Sequence, residues 1–413
     1  MHIAAPRKEV MVNIAILGFG TIGSGVEKLI KRNFPMICRE ISDQINVKYI
    51  LDIWDFKGTP YEDKIVRDIS VISGDPEISI VCEMMGGTKP AFEYSLECLQ
   101  AGKNVVTSNK EVVANFGNIL CNAARDNKVR YLYEASVGGG IPVIRTIKTA
   151  FAGCDIKEIN GILNGTTNYI LTEMVKKNKA LADALKEAQA LGYAESNPSA
   201  DVDGWDACRK ICILSALAFG KLIPSSAVSC TGIMDIKQSD TEIASKFGAS
   251  VKLVGSSRLS SDGLVDIRVS PCLVPSDNPL SSVDGVYNGI NISADAVEDI
   301  TLFGQGAGMF PTAGAVLSDI IDIAKHLGKD QPLQEMMECA NASAVCDEYT
   351  APNKFYAAVE CGSEKVLSDF ADARILYEEP GLTAFICEDI SRQSFEFLLK
   401  AGGYKVLSTF RAL

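Results

Sequence analysis

A glycine-rich turn directly after a short apolar run constrains the fold of this chain more than any other feature. The run "VNIAIL" at 12–17 is rich in β-branched residues and is typical of a buried strand. Gly18, Gly20 and Gly23 follow it in the pattern G-x-G-x-x-G, and an apolar helical pattern begins at Val26. The pattern alone is weak, but a strand before it and a helix after it predict a dinucleotide-binding turn.

The three glycines have different roles in such a turn. Gly18 permits the tight bend, Gly20 lets the backbone approach a pyrophosphate, and Gly23 allows the helix to pack closely on the strand. The helix N-terminus then offers free N–H groups and a positive dipole end to the phosphates. A glycine-rich turn that binds no ligand is the less favoured alternative.

The acid at the end of the second predicted strand bears on the choice of cofactor. "INVKYIL" at 45–51 is that strand, and Asp52 follows it. A carboxylate here accepts hydrogen bonds from an adenosine ribose hydroxyl and repels a 2′-phosphate, which favours NAD. Lys57 and Arg67 are nearby cations that could balance a phosphate, so NADP stays open.

Strands and helices alternate through the first third of the chain. Further strands are predicted in "EISIVCEMMGG" at 77–87, "NVVTSNK" at 104–110 and "VRYLYEASVGGG" at 129–140. This alternation predicts a parallel, doubly wound sheet, in which ligands bind beyond the carboxyl ends of the strands. Lys110 and Glu134 lie at such ends, although polar residues are also common in ordinary turns.

Two helix starts are predicted from capping residues. Thr88 precedes "KPAFEYSLECLQAG", and Asn164 opens "NGTTNYILTEM". Side-chain oxygens of Thr and Asn accept hydrogen bonds from the first free N–H groups of a helix. We therefore expect Thr88 to be the N-cap of the first helix, and Asn164 or a nearby Thr to be the N-cap of the second.

An acidic loop runs directly into an apolar helix in the middle of the chain. The loop at 193–204 carries Glu195 and Asp201, and the helix after it carries Asp206 and Lys210, four residues apart. The helix is otherwise apolar nearly all round and should be buried, where a charge is costly unless it is paired or functional. A simple ion pair beside a solvated loop and a site for a zwitterionic substrate are both consistent with this pattern.

Composition excludes several functional classes. The net charge of −12 argues against binding to nucleic acid or to an anionic membrane surface. The apolar run at 211–220 is too short to cross a bilayer, and the first ten residues lack the apolar core of a signal peptide. Thirteen scattered cysteines without a CxxC pair indicate reduced thiols in a cytoplasmic protein. The only histidines are His2 and His326, so proton transfer would fall to Lys, Asp, Glu or Tyr.

Over about residues 10–330 the chain resembles homoserine dehydrogenase. The resemblance rests on "AILGFGTIGSGV", "EASVGGGIPVIRTI", "GILNGTTNYIL", "YAESNPSADVDGWDACRKICILSALAFG" and "FGQGAGMFPTAGAVLSDIIDIA". It implies reversible NAD(P)-linked oxidation of L-homoserine to L-aspartate 4-semialdehyde, in threonine and methionine biosynthesis. A homodimer or homotetramer is expected. Asp52 is a departure, because a cation is frequent at its position in the family, and this favours NAD further.

The resemblance also implies roles for individual residues, with Lys210 as the acid/base. The implied catalytic residues are Lys210, Lys110 and Asp206, and the implied substrate-binding residues are Glu195, Asp201 and Asp206. The implied cofactor contacts are Gly18, Gly20, Thr21, Ile22, Gly23, Asp52, Gly86, Lys110, Gly192 and Gly306. A monovalent cation such as sodium is implied at Glu134 and at the backbone carbonyls of Val137, Gly139 and Ile141.

The predicted fold class is α/β, with three domains. A Rossmann-type domain spans 10–150 and is completed by a returning helix at about 311–340, and an α+β substrate and dimerisation domain spans 151–310. Residues 350–413 carry the element order β-α-β-β-α-β of a ferredoxin-like fold, which resembles a shortened ACT domain. That segment either senses an amino acid such as threonine or only mediates packing and assembly.

Two other functions remain open at this point. One is a regulator that binds NAD(P) and an amino acid without turnover. The other is a Rossmann oxidoreductase that acts on a related small amino acid, such as an amine dehydrogenase. Retention of Lys210, Lys110, Asp206 and Glu195 favours the dehydrogenase over the regulator.

Overall fold

The computed structural model describes residues 11–329, 334–335 and 337–413, so His2 lies outside the described residues. The strands, in chain order, are β1 Met11–Leu17, β2 Gln44–Leu51, β3 Ile65–Val66, β4 Ile78–Glu83, β5 Asn104–Thr107, β6 Tyr131–Leu132, β7 Ile156–Ile162, β8 Lys221–Leu222, β9 Ser229–Cys230, β10 Ala249–Leu259, β11 Val265–Pro275, β12 Tyr287–Ala294, β13 Glu298–Gln305, β14 Glu338–Cys339, β15 Pro352–Val359, β16 Ala373–Glu379, β17 Leu382–Ser391 and β18 Val406–Ala412. The α-helices are α1 Thr21–Ile41, α2 Ser70–Ser73, α3 Ala91–Gln100, α4 Lys110–Asp126, α5 Val143–Ala150, α6 Gly165–Lys177, α7 Leu181–Ala190, α8 Ser199–Val202, α9 Trp205–Phe219, α10 Gln238–Lys246, α11 Met309–His326, α12 Ser363–Asp369 and α13 Arg392–Ala401. Among these helices, none combines the length and the apolar character that a membrane span requires.

The chain divides into two compact units. The first contains the described residues up to Thr146 together with Ala307–Glu338, and the second contains Ile147–Gly306 and Cys339–Leu413. The first unit is built on a sheet with the strand order β3-β2-β1-β4-β5-β6, and every pairing in it is parallel. This is the strand order of a Rossmann fold, so the predicted doubly wound parallel sheet is confirmed.

Helices α1 and α11 pack against this sheet and bury its apolar residues. Val26 and Ile30 of α1 lie in one apolar cluster with Val316 and Ile320 of α11 and with Ile16 of β1. Helix α1 is longer than the apolar pattern suggested, because it begins at Thr21 in the glycine turn itself. The turn therefore passes into the helix without an intervening loop.

The two predicted helix caps have different outcomes. The side chain of Asn164 accepts a hydrogen bond from the N–H of Thr167 and caps α6, as predicted. The prediction for Thr88 was wrong, because α3 begins after Pro90 and no side chain caps it. The N–H of Phe92 instead donates to the carbonyl oxygen of Thr88, so only the backbone of Thr88 takes part.

The second unit contains one large mixed sheet, and α9 is buried against it. The strand order is β13-β12-β7-β10-β11-β18-β15-β17-β16. Ile211 and Leu214 of α9 are fully buried, as the apolar pattern of that helix predicted. The Cβ of Ile211 lies 3.2 Å from the position a Cβ on Gly255 of β10 would take, so the missing side chain lets the helix lie close to the strand. Asp206 and Lys210 are carried into the protein interior on this helix.

The C-terminal segment has the predicted element order β15-α12-β16-β17-α13-β18, which is β-α-β-β-α-β. Its own core is aromatic and includes Phe355, Phe370, Phe385 and Phe395. Strand β18 also runs parallel to β11, with Arg411 opposite Cys272. The segment therefore extends the sheet of the middle segment instead of forming a separate sheet.

Candidate active site

The glycine turn of the first unit has the geometry that a pyrophosphate requires. Gly18 has φ +86°, and a Cβ on Gly23 would lie 2.1 Å from the carbonyl oxygen of Gly18, so neither position accepts a larger residue without strain. Gly20 is the N-cap of α1, and no side chain caps it or places an acid in the first helical turn. No heavy atom outside its chain neighbours lies within 4 Å of a Cβ built on Gly20, among the described residues. An anion can therefore approach the helix N-terminus.

Asp52, at the end of β2, accepts a hydrogen bond from the backbone of this glycine turn. Its Oδ2 accepts a hydrogen bond from the N–H of Phe19 at 2.6 Å, and its Oδ1 accepts one from the N–H of Trp54 at 3.0 Å. A carboxylate has about four lone-pair sites, so Asp52 can still accept a hydrogen bond from a ribose hydroxyl. The predicted position at the carboxyl end of the strand is confirmed.

The two cations near Asp52 are engaged with another acid. The guanidinium of Arg67 forms an ion pair with Asp55 and donates to the carbonyl oxygen of Asp52. The Lys57 ammonium lies 3.7 Å from the Asp55 carboxylate. Asp55 therefore reduces the positive charge that a 2′-phosphate would meet here.

Glu83 is a buried acid at the same edge of the sheet that the sequence reasoning missed. Its carboxylate accepts a hydrogen bond from the Thr107 hydroxyl at 2.6 Å and from the N–H of Met85 at 2.8 Å. Thr107 in turn accepts one from the N–H of Asn109, the N-cap of the helix that begins at Lys110. Burial raises the pKa of Glu83 to about 7. An acid that ends a buried strand, just before "MMGG", was the available signal.

Glu134 lies in the loop before α5, and its carboxylate caps the N-terminus of that helix. Its two carboxylate oxygens accept hydrogen bonds from the N–H groups of Ile144 and Arg145, at 2.9 and 2.7 Å, in the first turn of α5. Its own N–H donates to Asp319, a buried acid whose pKa is raised to about 7 by burial and by the charge of Glu134. This structural role was not predicted.

The other three predicted cation ligands lie in the loop between Glu134 and α5. Val137 and Ile141 are buried, and the carbonyl oxygen of Ile141 accepts a hydrogen bond from the N–H of Val143. Gly139 lies between them with φ +52°. The donors, one carboxylate and three carbonyl oxygens, are of the kind that hard cations bind, so the residues fit such an ion in chemical type. The described residues contain no group of three or more His, Cys, Asp or Glu side chains that could hold a metal ion.

In the second unit, Lys210 is held at the end of a buried hydrogen-bond network. Its Nζ donates to Oδ2 of Asp206 at 2.7 Å and to the carbonyl oxygen of Leu163 at 2.7 Å. Both residues are less than 10% exposed. An ammonium group has three N–H donors, so these two bonds leave one for a ligand.

Asn164 connects a second acid to this pair. Its Nδ2 donates to Oδ1 of Asp201 at 2.7 Å and to Oδ2 of Asp206 at 2.9 Å, while its Oδ1 caps α6. Burial and the neighbouring Asp206 carboxylate raise the pKa of Asp201. One lysine and two carboxylates thus converge within a few ångströms around an amide that the sequence reasoning took only as a helix cap.

Three other predicted residues of the second unit lie apart from this network. Glu195 is exposed in the loop after α7, and its carboxylate makes no hydrogen bond or ion pair with the described residues. Gly192 is exposed at the end of α7. Gly306 follows β13, where a Cβ would lie 2.1 Å from the side chain of Asn288. The structure therefore brings Asp201, Asp206 and Lys210 together, and it does not join Glu195 to them.

Comparison with known families identifies this arrangement. Residues 142–321 match the family model described as homoserine dehydrogenase, and residues 18–134 match the model described as homoserine dehydrogenase, NAD binding domain. The chain belongs to the homoserine dehydrogenase family. The expected resemblance is therefore confirmed for both the cofactor unit and the residues around Lys210.

Relatives and solved structures agree with this assignment. A homoserine dehydrogenase of Lactococcus lactis is 39% identical over 354 residues, which cover 84% of this chain and 82% of that protein. The crystal structure of a homoserine dehydrogenase from Thiobacillus denitrificans superimposes with a TM-score of 0.85 at 30% identity, over 98% of this chain and 99% of that one. A hyperthermophilic archaeal homoserine dehydrogenase in complex with NADPH superimposes with a TM-score of 0.64 at 30% identity, over 78% of this chain and 100% of that one.

As a homoserine dehydrogenase, the protein is an NAD(P)-dependent oxidoreductase that acts on a CH–OH group. The predicted reaction class and the predicted nicotinamide cofactor are confirmed at this level. Nothing in the comparisons favours the regulator without turnover, or an enzyme that acts on an amine.

Proposed function

We propose that Lys210 is the acid/base of homoserine oxidation, and that Asp206 and Asp201 bind the amino acid. The observation that carries this proposal is the buried network of Lys210, Asp206, Asn164 and Asp201. A nicotinamide cofactor, when bound, accepts a hydride from C4 of L-homoserine or returns it to L-aspartate 4-semialdehyde. The residues of the protein then have to transfer the hydroxyl proton and bind the zwitterionic amino acid.

Lys210 is placed for the proton. In the reductive direction its ammonium, held by Asp206 and Leu163, donates its third N–H to the substrate oxygen as that oxygen gains negative charge. In the oxidative direction the neutral amine accepts the hydroxyl proton as the C4 hydride leaves. Such general acid–base assistance typically contributes about 10²–10⁴ in rate.

The carboxylates provide the charge that an ammonium group requires. Asp201 and Asp206 are held next to each other by one amide, which keeps two negative charges close together in a partly buried place. The substrate ammonium would relieve that repulsion on binding. We propose that Glu195 joins this site when substrate is bound, and that Lys110 assists at the nicotinamide.

For the cofactor we propose that the glycine turn and Asp52 bind NAD in preference to NADP. The predicted contacts at Thr21, Ile22, Gly86, Gly192 and Gly306 belong to the same proposal. The Asp52 carboxylate would repel a 2′-phosphate, and Arg67 and Lys57 are already drawn toward Asp55. Dissociation constants for NAD and NADP, measured by calorimetry, would test this preference, and tighter binding of NADP would contradict it.

The remaining proposals concern the setting of the enzyme. We propose that it serves threonine and methionine biosynthesis in the cytoplasm as a homodimer or homotetramer. Glu134 and the carbonyls of Val137, Gly139 and Ile141 would hold a monovalent cation such as sodium. The C-terminal segment is proposed to be ACT-like, with threonine as a candidate effector.

Steady-state assays test the catalytic proposal. The purified protein is mixed with L-homoserine and either cofactor, and the absorbance of the reduced nicotinamide is followed. The Asp201→Asn variant is expected to raise the KM for homoserine with a smaller effect on kcat, because it removes a binding charge and keeps the amide contact. An unchanged KM in that variant would remove Asp201 from the substrate site.

A further inference from the structure

Two loops of the first unit follow neighbouring parallel strands and lie at the same edge of its sheet. Residues 84–87 follow β4, and residues 108–109 connect β5 to α4, which begins at Lys110. In the strand order β3-β2-β1-β4-β5-β6, β4 lies on the opposite side of β1 from β2. A dinucleotide bound across β1 with its adenosine ribose at Asp52 therefore directs its nicotinamide half toward these two loops.

A buried carboxylate joins the starts of the two loops. Glu83 and Thr107 are opposite residues of β4 and β5, and both are fully buried. The Thr107 hydroxyl donates a hydrogen bond to the Glu83 carboxylate at 2.6 Å and accepts one from the N–H of Asn109 at 2.9 Å. The other carboxylate oxygen accepts a hydrogen bond from the N–H of Met85 at 2.8 Å. Glu83 and Thr107 thus fix the backbone where each loop leaves its strand.

Asn109 connects the same two loops a second time. Its Nδ2 donates to the carbonyl oxygens of Met85 at 3.2 Å and of Gly87 at 2.7 Å, and its Oδ1 caps α4. Gly86, a proposed cofactor contact, lies between the two carbonyl groups that Asn109 holds. Lys110 is the first residue of the helix that Asn109 caps. The positions of Gly86 and Lys110 therefore depend on this network.

The energetic cost of Glu83 indicates a use beyond packing. Burial raises the pKa of Glu83 to about 7, and its carboxylate forms no ion pair with the described residues. At neutral pH and above, the charged form therefore destabilises the folded protein relative to an exposed acid. Buried titratable groups whose pKa is strongly shifted cluster at functional sites, where a local cost to stability is tolerated.

We propose that Glu83 and Thr107 are positioning residues for the nicotinamide end of the active site. They act through Lys110 and through the backbone of residues 85–87, which the network holds in place. The inference rests on the proposed roles of Asp52 and Lys110, because these decide which half of the dinucleotide faces β4 and β5. Release of the two loops should slow the reaction, since small displacements around the reacting atoms reduce the rate steeply.

Isothermal titration calorimetry with NAD and with ADP-ribose tests the proposal. ADP-ribose has the adenosine, the pyrophosphate and the second ribose of NAD but lacks the nicotinamide. Thr107→Val keeps the shape of the side chain and removes the hydroxyl, so Glu83 loses a donor and the N–H of Asn109 loses its acceptor. We expect NAD to bind about two- to tenfold more weakly, as for the loss of about one hydrogen bond, and ADP-ribose to change less than about twofold. The kcat for homoserine oxidation should fall by about tenfold or more.

Three further variants separate positioning from packing. Thr107→Ser keeps the hydroxyl and loses a buried methyl group, so it should retain the wild-type kcat and the wild-type ratio of the two dissociation constants. Thr172→Val is the matched control, because the Thr172 hydroxyl also donates, to the carbonyl oxygen of Asn168 at 2.7 Å, and accepts from the N–H of Gly285 at 3.0 Å. That control should lose stability without a change in the ratio. Glu83→Gln turns one acceptor into a donor and should shift the ratio in the same direction as Thr107→Val, which covers the case in which Thr107→Val does not fold.

Two results would overturn the proposal. One is a folded Thr107→Val protein with the wild-type kcat and the wild-type ratio of the two dissociation constants. The other is equal weakening of NAD and ADP-ribose in Thr107→Val without recovery in Thr107→Ser, which would show a general loss of structure.

Failure of the proposed function has a different signature. A Lys110→Met protein with the wild-type kcat would contradict only the proposed role of Lys110, and a shifted ratio in Thr107→Val would then support positioning through residues 85–87. Tighter binding of NADP than of NAD would contradict only the proposed preference at Asp52. The same comparison is then made with NADP and 2′-phospho-ADP-ribose.

Discussion

At the scale of single residues, the buried acids show where sequence reasoning reached its limit. Lys210 and Asp206 could be predicted, because a charged pair in an apolar helix is visible as a pattern. Glu83 was missed, because its only signal, an acid at the end of an apolar strand, looks like any strand terminus until the fold places Thr107 and Asn109 around it. Hydrogen bonds between residues about 24 positions apart depend on strand order, which local pattern does not contain.

Glu83 should make stability depend on pH. Its pKa rises from 4.5 to about 7 on folding, so the folded state binds this proton more tightly than the unfolded state does. That contribution to stability is complete below about pH 4.5 and is lost as the pH rises to about 7, a loss of roughly 3 kcal/mol. The Glu83→Gln variant should therefore show a smaller fall in Tm between about pH 5 and 8. Thermal unfolding monitored by circular dichroism measures it.

An exposed acid provides the control for that measurement. Glu93→Gln removes the same charge from an exposed side chain that forms an ion pair with Lys89. It should leave the slope of Tm against pH unchanged. Equal slopes in the wild-type protein and in Glu83→Gln would show that folding does not raise the pKa of Glu83, contrary to our account.

At the scale of elements, Asn164 joins the start of a helix to Asp201 and Asp206, the two acids that we propose bind the substrate. Its position before "GTTN" predicted the N-cap of α6, and the structure confirms it. The second role of the side chain, between Asp201 and Asp206, needs α8 and α9 to meet the start of α6, and the sequence does not reveal that. Thr88 shows the opposite failure, since a good capping residue lies before the observed N-cap, Pro90, and the helix starts only after that proline.

Replacement of Asn164 should therefore have two separable effects. Asn164→Ala removes the cap and is expected to lower the free energy of unfolding by about 0.5–2 kcal/mol. It also frees Asp201 and Asp206 from their common amide, so the KM for homoserine should rise. Urea denaturation measures the first effect and steady-state kinetics the second.

Ser391 offers a matched cap elsewhere in the same unit. Its side chain accepts a hydrogen bond from the N–H of Ser394 and caps α13. Ser391→Ala should give a comparable loss of stability with an unchanged KM. If both variants raise the KM equally, the effect of Asn164 on the substrate site is only a general loss of stability.

At the scale of the whole molecule, the sequence predicted the parallel sheet and the β-α-β-β-α-β order of the C-terminal segment. It did not predict how the C-terminal segment pairs with the middle segment. The alternation of strands and helices was enough for the parallel sheet, because each buried strand is a nearly continuous apolar run. The order β-α-β-β-α-β of residues 352–412 was also readable. The parallel pairing of β18 with β11 was not, because it joins residues about 140 positions apart.

Because the C-terminal segment shares a sheet with the middle segment, a substitution in its core should lower the stability of the whole second unit. Phe395 is 1% exposed and packs with Phe355, Phe370 and Phe385. Phe395→Ala should lower the stability of the second unit by about 3–5 kcal/mol, as expected for loss of a buried ring. The dissociation constant for NAD should change much less than the stability, because the glycine turn and Asp52 belong to the first unit and only Gly192 and Gly306 among the proposed cofactor contacts belong to the second. Urea denaturation and calorimetry of NAD binding together check this, and a strongly weakened affinity for NAD would show that the two units are coupled.

The central claim of this account is that Lys210 moves the hydroxyl proton, and the Lys210→Met variant tests it most directly. Lys177→Met is its control, because Lys177 also pairs with an acid four residues away, Glu173 at 2.7 Å on α6. The measurement is kcat for homoserine oxidation at saturating substrate and cofactor. We predict a fall of about 10²–10⁴ in Lys210→Met and no more than a small change in Lys177→Met. A Lys210→Met protein that is folded, binds NAD and keeps most of its kcat would contradict the account.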